Sequence, residues 1–217
     1  MNDNNLAKDI QLILDELRSM GNKTDRDGMA RFGIENSTAL GIRIPTLRKF
    51  AKWFKKDNEL SEALWKANIH EAKILAIYLS DPQTFTEKQM DIWVNDFYSW
   101  DICDQCCGNL FDKTPYAFKK ALEWAKHDEE FVKRAGFVMM ATLAVHDKNA
   151  EDKAFKQFFK YIKKEAHDER NFVKKAVNWA LRQIGKRNEI LLDEAIAVAE
   201  QIQKQKSKSA KWIATDA

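Results

Sequence analysis

Trp100 and Asp104 stand four residues apart, so an indole and a carboxylate project in one direction if residues 99–111 are helical. Ile102, Cys103, Cys106, Cys107, Leu110 and Phe111 then form the apolar face and leave Trp100 and Asp104 on its flank. A carboxylate fixed beside an aromatic ring in a half-buried place stabilises positive charge that develops during a reaction. A purely structural account competes with this one: Ser99 caps the helix, and Asp101 and Asp104 answer its macrodipole. That account covers Asp101 better than Asp104, because the dipole effect fades beyond the first turn.

A second constellation lies at residues 171–187. At 100° per residue, Phe172, Val173, Ala176, Val177, Ala180, Leu181 and Ile184 gather on one side. Lys175, Arg182 and Lys186 gather on another, and Trp179 falls at the border beside them. Such an indole either offers its face to a cationic or planar group while the cations hold phosphates, or seals the core edge beneath basic stems. Arg134 is the third candidate. It opens the helix 129–146, whose later residues are apolar all round, so its cation either pairs with Asp128 or Glu130 or faces a cleft.

Metal, redox and cofactor chemistry find little support. Cys103 and Cys106 have the Cys-x-x-Cys spacing without the surrounding strand–helix–strand pattern, and Cys103, Cys106 and Cys107 read as small hydrophobes on one helix face. His70, His127, His146 and His167 are scattered, with no His-x-x-x-His pair and no glycine-rich phosphate loop in the chain. No metal and no cofactor are expected.

The elements that must position these residues are helices. Seven glycines and three prolines in 217 residues leave few turns, while 45% apolar residues allow a sizeable core. Ile10, Ile13, Leu14 and Leu17 form one stripe within a helix over 8–20. Residues 21–44 hold four of the glycines and predict only short helices; Pro45 then opens a helix to about Lys56. Further starts fall at Thr86, Ser99 and Thr114, for eleven to thirteen helices and no strand. His127-Asp128-Glu129 followed by Phe131-Val132-Lys133-Arg134-Ala135 recurs as His167-Asp168-Glu169 followed by Phe172-Val173-Lys174-Lys175-Ala176. The second parts are 41 residues apart, the period of a HEAT-type helix pair. Pairs near 58–80, 86–111, 115–145, 150–185 and 190–217 fit that plan, which predicts one all-α superhelical domain over 1–217 with a concave face. The last residues, Ser209 to Ala217, read as the middle of a helix.

Net charge is only +3, yet its distribution is uneven. Residues 43–56 carry six cations and no acid, residues 57–104 carry ten acids against three lysines, and residues 170–187 again carry six cations and no acid. Basic stretches flanking an acidic middle suit phosphate contacts, although solvated helix faces give the same pattern. The start of the chain lacks the basic residues and apolar run of a signal peptide, no apolar run is long enough to span a bilayer, and three cysteines suit a reducing compartment. The expectation is a cytoplasmic protein without membrane association.

Four segments taken in order resemble the AlkD-like DNA alkylation repair glycosylases, which are built from HEAT-like repeats. They are Gly41-Ile42-Arg43-Ile44-Pro45-Thr46-Leu47-Arg48, Ser99-Trp100-Asp101-Ile102-Cys103-Asp104, Phe131-Val132-Lys133-Arg134-Ala135, and Phe172 through Arg182. The resemblance implies excision of N3- or N7-alkylated purines from duplex DNA by hydrolysis of the N-glycosidic bond. It matches Asp104 to the family's catalytic aspartate, Trp100 and Trp179 to its cleft tryptophans, and Arg134 to the arginine that contacts the backbone near the lesion. Lys175, Arg182, Lys186, Arg43 and Arg48 are the further expected DNA contacts. The implied partner is alkylated duplex DNA, bound by a monomer. This sequence departs from the family where Ser99 separates Tyr98 from Trp100, in place of two adjacent aromatics. A DNA-binding protein without excision and a protein-binding scaffold are the alternative readings.

Overall fold

Few glycines and prolines let the chain run in helices. The computed structural model describes residues 3–217, with side chains from Leu6 onward, and holds thirteen α-helices and no strand among them. Contacts divide the chain into two units, Met1–Thr86 and Glu87–Ala217.

The first unit contains α1 (Asp3–Ser19), α2 (Lys23–Met29), α3 (Ile44–Ala51), α4 (Asn58–Trp65) and α5 (His70–Leu79), with a 3-10 turn at Ala30–Phe32. Ile13, Leu14 and Leu17 of the expected stripe on α1 are buried, while Ile10 is half-buried. Pro45 lies in the first turn of α3 as its fixed φ favours, but this helix ends at Ala51 rather than near Lys56. The chain there tightens into i to i−3 hydrogen bonds from the amides of Lys52, Trp53 and Phe54. The segment before α3 is held by Glu71, whose buried carboxylate accepts from the amides of Leu40, Gly41 and Ile42 at 2.8, 2.7 and 3.1 Å. Gly41 has φ +83°, and a Cβ there would lie 2.1 Å from the carbonyl oxygen of Asn22, so only glycine fits.

The second unit contains α6 (Glu87–Asn95), α7 (Trp100–Asn109), α8 (Ala117–Trp124), α9 (Glu130–His146), α10 (Asp152–Glu165), α11 (Asn171–Gly185), α12 (Glu189–Gln203) and α13 (Lys208–Asp216). The start expected at Thr114 falls at Ala117, because the Thr114 hydroxyl donates to the Phe111 carbonyl and closes a 3-10 turn first. Helices α7, α9, α11 and α13 neighbour one another in one layer, and α8, α10 and α12 in a second. The centre is α9, buried from Val132 to Ala144 as its apolar circumference requires. Phe137, Met139 and Met140 are fully buried, each stabilising by about 1.5–3 kcal/mol. Gly136 lets α8 approach closely: a Cβ would meet the Ala125 amide nitrogen at 2.3 Å.

The repeated segments join successive pairs. Lys133 of the first copy donates to Glu165 and to Asp168 of the second, at 2.7 and 3.3 Å. Arg170 returns a hydrogen bond to the Asp128 carbonyl, and the rings of Phe131 and Phe172 lie 5.5 Å apart. Glu169 carries the chain of contacts onward by accepting from the Ser207 hydroxyl and the Ser209 amide.

Candidate functional site

Helix α7 begins after Ser99, which holds an extended conformation. Its hydroxyl does not cap the helix as expected; it donates to the Asp101 carboxylate at 2.6 Å. Ile102, Cys103, Cys106 and Cys107 face inward and are buried, which turns Trp100 and Asp104 to the flank, where both are half-buried. All three cysteines are buried thiols outside any disulfide, and two meet α9, Cys103 beside the Phe131 carbonyl and Cys107 beside that of Ala135, each at 3.8 Å. No group of three or more potential metal ligands occurs among the described residues.

Arg134 pairs with neither Asp128 nor Glu130. Its Nε and Nη2 donate to the two oxygens of Asp104 at 3.0 and 2.8 Å, and its Nη1 donates to the Phe172 carbonyl at 2.7 Å. One guanidinium on α9 thus ties α7 to the first turn of α11, a connection across 30 and 38 residues of sequence. Side-chain exposure is 7% for Arg134 and 19% for Asp104, so the carboxylate is the member that meets solvent. Burial pushes the Asp104 carboxyl above the ordinary aspartate range, and the guanidinium opposes that push. Three of the five guanidinium N–H groups are engaged, which leaves two.

Trp179 lies on α11, seven residues beyond Phe172 and hence on the same stripe, and is half-buried. Lys175, Arg182 and Lys186 are exposed on the neighbouring side, with Trp179 at the border. Arg182 pairs with Asp216 at 3.2 Å, whereas Lys175 and Lys186 make no ion pair among the described residues. In the first unit Arg43 is exposed but engaged by Asp25 through two hydrogen bonds of 2.8 and 2.9 Å. Arg48 is exposed and donates to the Tyr78 hydroxyl at 3.2 Å.

Two clusters of paired charges escaped the sequence reading. Lys133 sits in the buried run of α9 between Glu165 and Asp168, all three side chains less than one-tenth exposed. A lysine on an otherwise apolar helix must be paired, and that was the available signal. Burial raises the Asp168 carboxyl, but hydrogen bonds from Arg170 outweigh it and hold the group at about 2. The second pair is Asp112, whose buried Oδ2 meets His146 Nδ1 and whose Oδ1 has no hydrogen-bond partner. Nothing in the sequence links two residues 34 positions apart.

No helix among the described residues is long and apolar enough to cross a membrane. The family model for DNA alkylation repair enzymes matches residues 13–216. No curated protein sequence matches the chain. A solved structure described as a new family of proteins related to the HEAT-like repeat DNA glycosylases, with affinity for branched DNA structures, matches with a TM-score of 0.78. It is 19% identical and the match covers 95% of this chain and 93% of that one, so the fold is the HEAT-like repeat fold.

Proposed function

The chain belongs to the DNA alkylation repair enzyme family, and from that premise we propose that it binds duplex DNA and excises N3- or N7-alkylated purines as a cytoplasmic monomer. The observation that carries this reading is the bidentate Asp104–Arg134 pair on the flank of α7, largely buried, with the carboxylate as the member that reaches solvent. An alkylated purine already carries positive charge, so its glycosidic bond breaks without a general acid. As the bond lengthens, charge moves onto the sugar, and the transition state resembles an oxocarbenium ion. Asp104 stabilises that charge and orients the water that attacks the sugar carbon, the purine leaving as a neutral base. Arg134 opposes the effect of burial on the carboxylate and fixes its plane. Each carboxylate oxygen has lone pairs beyond the one Arg134 occupies, so it can still accept from water.

Trp100 and Trp179 provide ring faces that attract the cationic nucleotide, and Lys175, Arg182 and Lys186 lie on phosphates. Arg134 has two N–H groups left for a phosphate near the lesion. Arg43 and Arg48 give further backbone contacts, Arg43 after exchanging Asp25 for phosphate.

Release of 7-methylguanine from methylated duplex DNA tests the reading. Asp104→Asn abolishes release, a loss of at least a hundredfold in rate, with DNA affinity nearly unchanged; unchanged release removes Asp104 from the chemistry. A second reading, binding without excision, gains from Arg134 satisfying both oxygens of Asp104 and from the affinity for branched DNA described for the similar structure. No release by the unaltered protein, with DNA still bound, decides for it.

A further inference from the structure

Trp53 is 77% exposed, the most exposed of the large apolar side chains among the described residues. Exposed tryptophan is unusual, and a flexible loop would explain it cheaply. The backbone here is instead pinned. The amides of Trp53 and Phe54 bond back to Phe50 and Ala51, the Asp57 amide bonds to the Leu79 carbonyl at 2.8 Å, and Lys56 Nζ donates to the Tyr78 carbonyl. The ring itself rests edge-on against Phe50 at 5.5 Å, and Phe50 in turn meets Phe54 at 5.1 Å. One indole is therefore held outward by a rigid aromatic base.

Its surroundings are cationic on the α3 side. On the wheel of α3, Arg48, Lys49 and Lys52 share the outward face, and Lys55 follows the turn. Lys49, Lys52 and Lys55 are exposed and make no ion pair among the described residues. Beside the ring runs an apolar groove of about 420 Å³ between α1 and the α3–α4 turn, which includes Leu12, Phe54 and Leu60. Asp9 and Glu16 line the same groove from α1 and would repel phosphate there. A ligand that satisfies both halves carries its anionic groups over α3 and presents an uncharged planar group to the indole.

We propose that Trp53 is a stacking platform for an unpaired nucleobase at a strand end or fork in DNA, with the adjoining phosphates over Lys49, Lys52 and Lys55. A base inside a duplex is stacked on both faces and cannot use this ring; an unpaired base can. The inference rests on the DNA-binding reading above and adds a second, separate contact to it, in the first unit.

The test compares a blunt duplex with a forked duplex carrying 2-aminopurine at the first unpaired position. Stacking on the indole quenches this fluorophore. Expected are quenching by the unaltered protein, its loss in Trp53→Ala, fork affinity weakened roughly tenfold, and unchanged affinity for the blunt duplex. Trp53→Phe restores most of the fork affinity, which a merely structural role would not require. Joint replacement of Lys49, Lys52 and Lys55 by Gln weakens fork binding and lowers its salt dependence. Equal weakening on both DNAs, or none on the fork, overturns the platform while leaving duplex binding intact. A Trp53-dependent change in sedimentation without DNA, with fork affinity unaltered, also overturns it by making a second copy the occupant. Binding of neither DNA removes the DNA-binding reading itself and the platform with it.

Discussion

Residues 131–135 and 172–176 carry almost the same five side chains, yet their cations end in opposite circumstances. In the first copy both are paired with acids: Lys133 sits between Glu165 and Asp168, and Arg134 grips Asp104. In the second copy Lys174 lies 5.5 Å over the Trp212 ring, and Lys175 is exposed without an acid partner among the described residues. The two helices present the same pattern to different neighbours. Helix α9 has carboxylates arriving from α7, from α10 and from the turn before α11, whereas α11 meets an aromatic on α13. The same motif thus holds the fold together in one copy and leaves positive charge available to a partner in the other.

The contrast is open to attack first through stability. Lys133→Met removes the buried cation that Glu165 and Asp168 share, and costs about 3–5 kcal/mol. Lys174→Met loses an exposed cation–π contact worth about 0.5–1 kcal/mol. Urea unfolding of the two variants measures the gap, and equal losses would erase the distinction between the copies.

A smaller effect comes from pH. The folded Asp168 carboxyl titrates at about 2 against an ordinary 3.8, so its contribution is fully present above about pH 4 and is lost as the pH falls through 2. The shift corresponds to about 2 kcal/mol. Asp168→Asn should flatten the acid side of the stability curve, as followed by urea midpoints between pH 2 and 5. A curve that keeps its slope would place the acid sensitivity elsewhere.

The smallest expected change is in the salt dependence of DNA binding. Lys175→Gln lowers the slope of log affinity against log salt by about 1, the signature of one lost phosphate contact. Arg134→Lys makes the five residues of the two copies identical while preserving charge. That variant keeps the slope but cannot make the two-pronged bond to Asp104, so base release falls without a matching loss of affinity. A slope that responds to residue 134 and ignores Lys175 would reverse the assignment of the two copies.

Periodicity made most of the fold legible. The helix pairs expected at 58–80, 86–111, 115–145, 150–185 and 190–217 are present as α4–α5, α6–α7, α8–α9, α10–α11 and α12–α13. Apolar spacing is local and survives without knowledge of neighbours. Boundaries that depend on hydrogen-bond competition were less legible, as at Lys52–Phe54, where 3-10 bonding stops α3 early, and at Thr114.

For the candidate site, the residue types and the direction of Trp100 and Asp104 came from helical spacing alone. The destination of Arg134 did not, since the sequence offers Asp128 and Glu130 as nearer partners. Helical geometry settles which residues share a face, because that depends on rise and twist within one element. Which faces meet depends on how helices stack across tens of residues. Only the packed structure brings Asp104, Arg134 and the Phe172 carbonyl together and buries Lys133 between two acids, because burial decides whether a charge must find a partner or can remain in water.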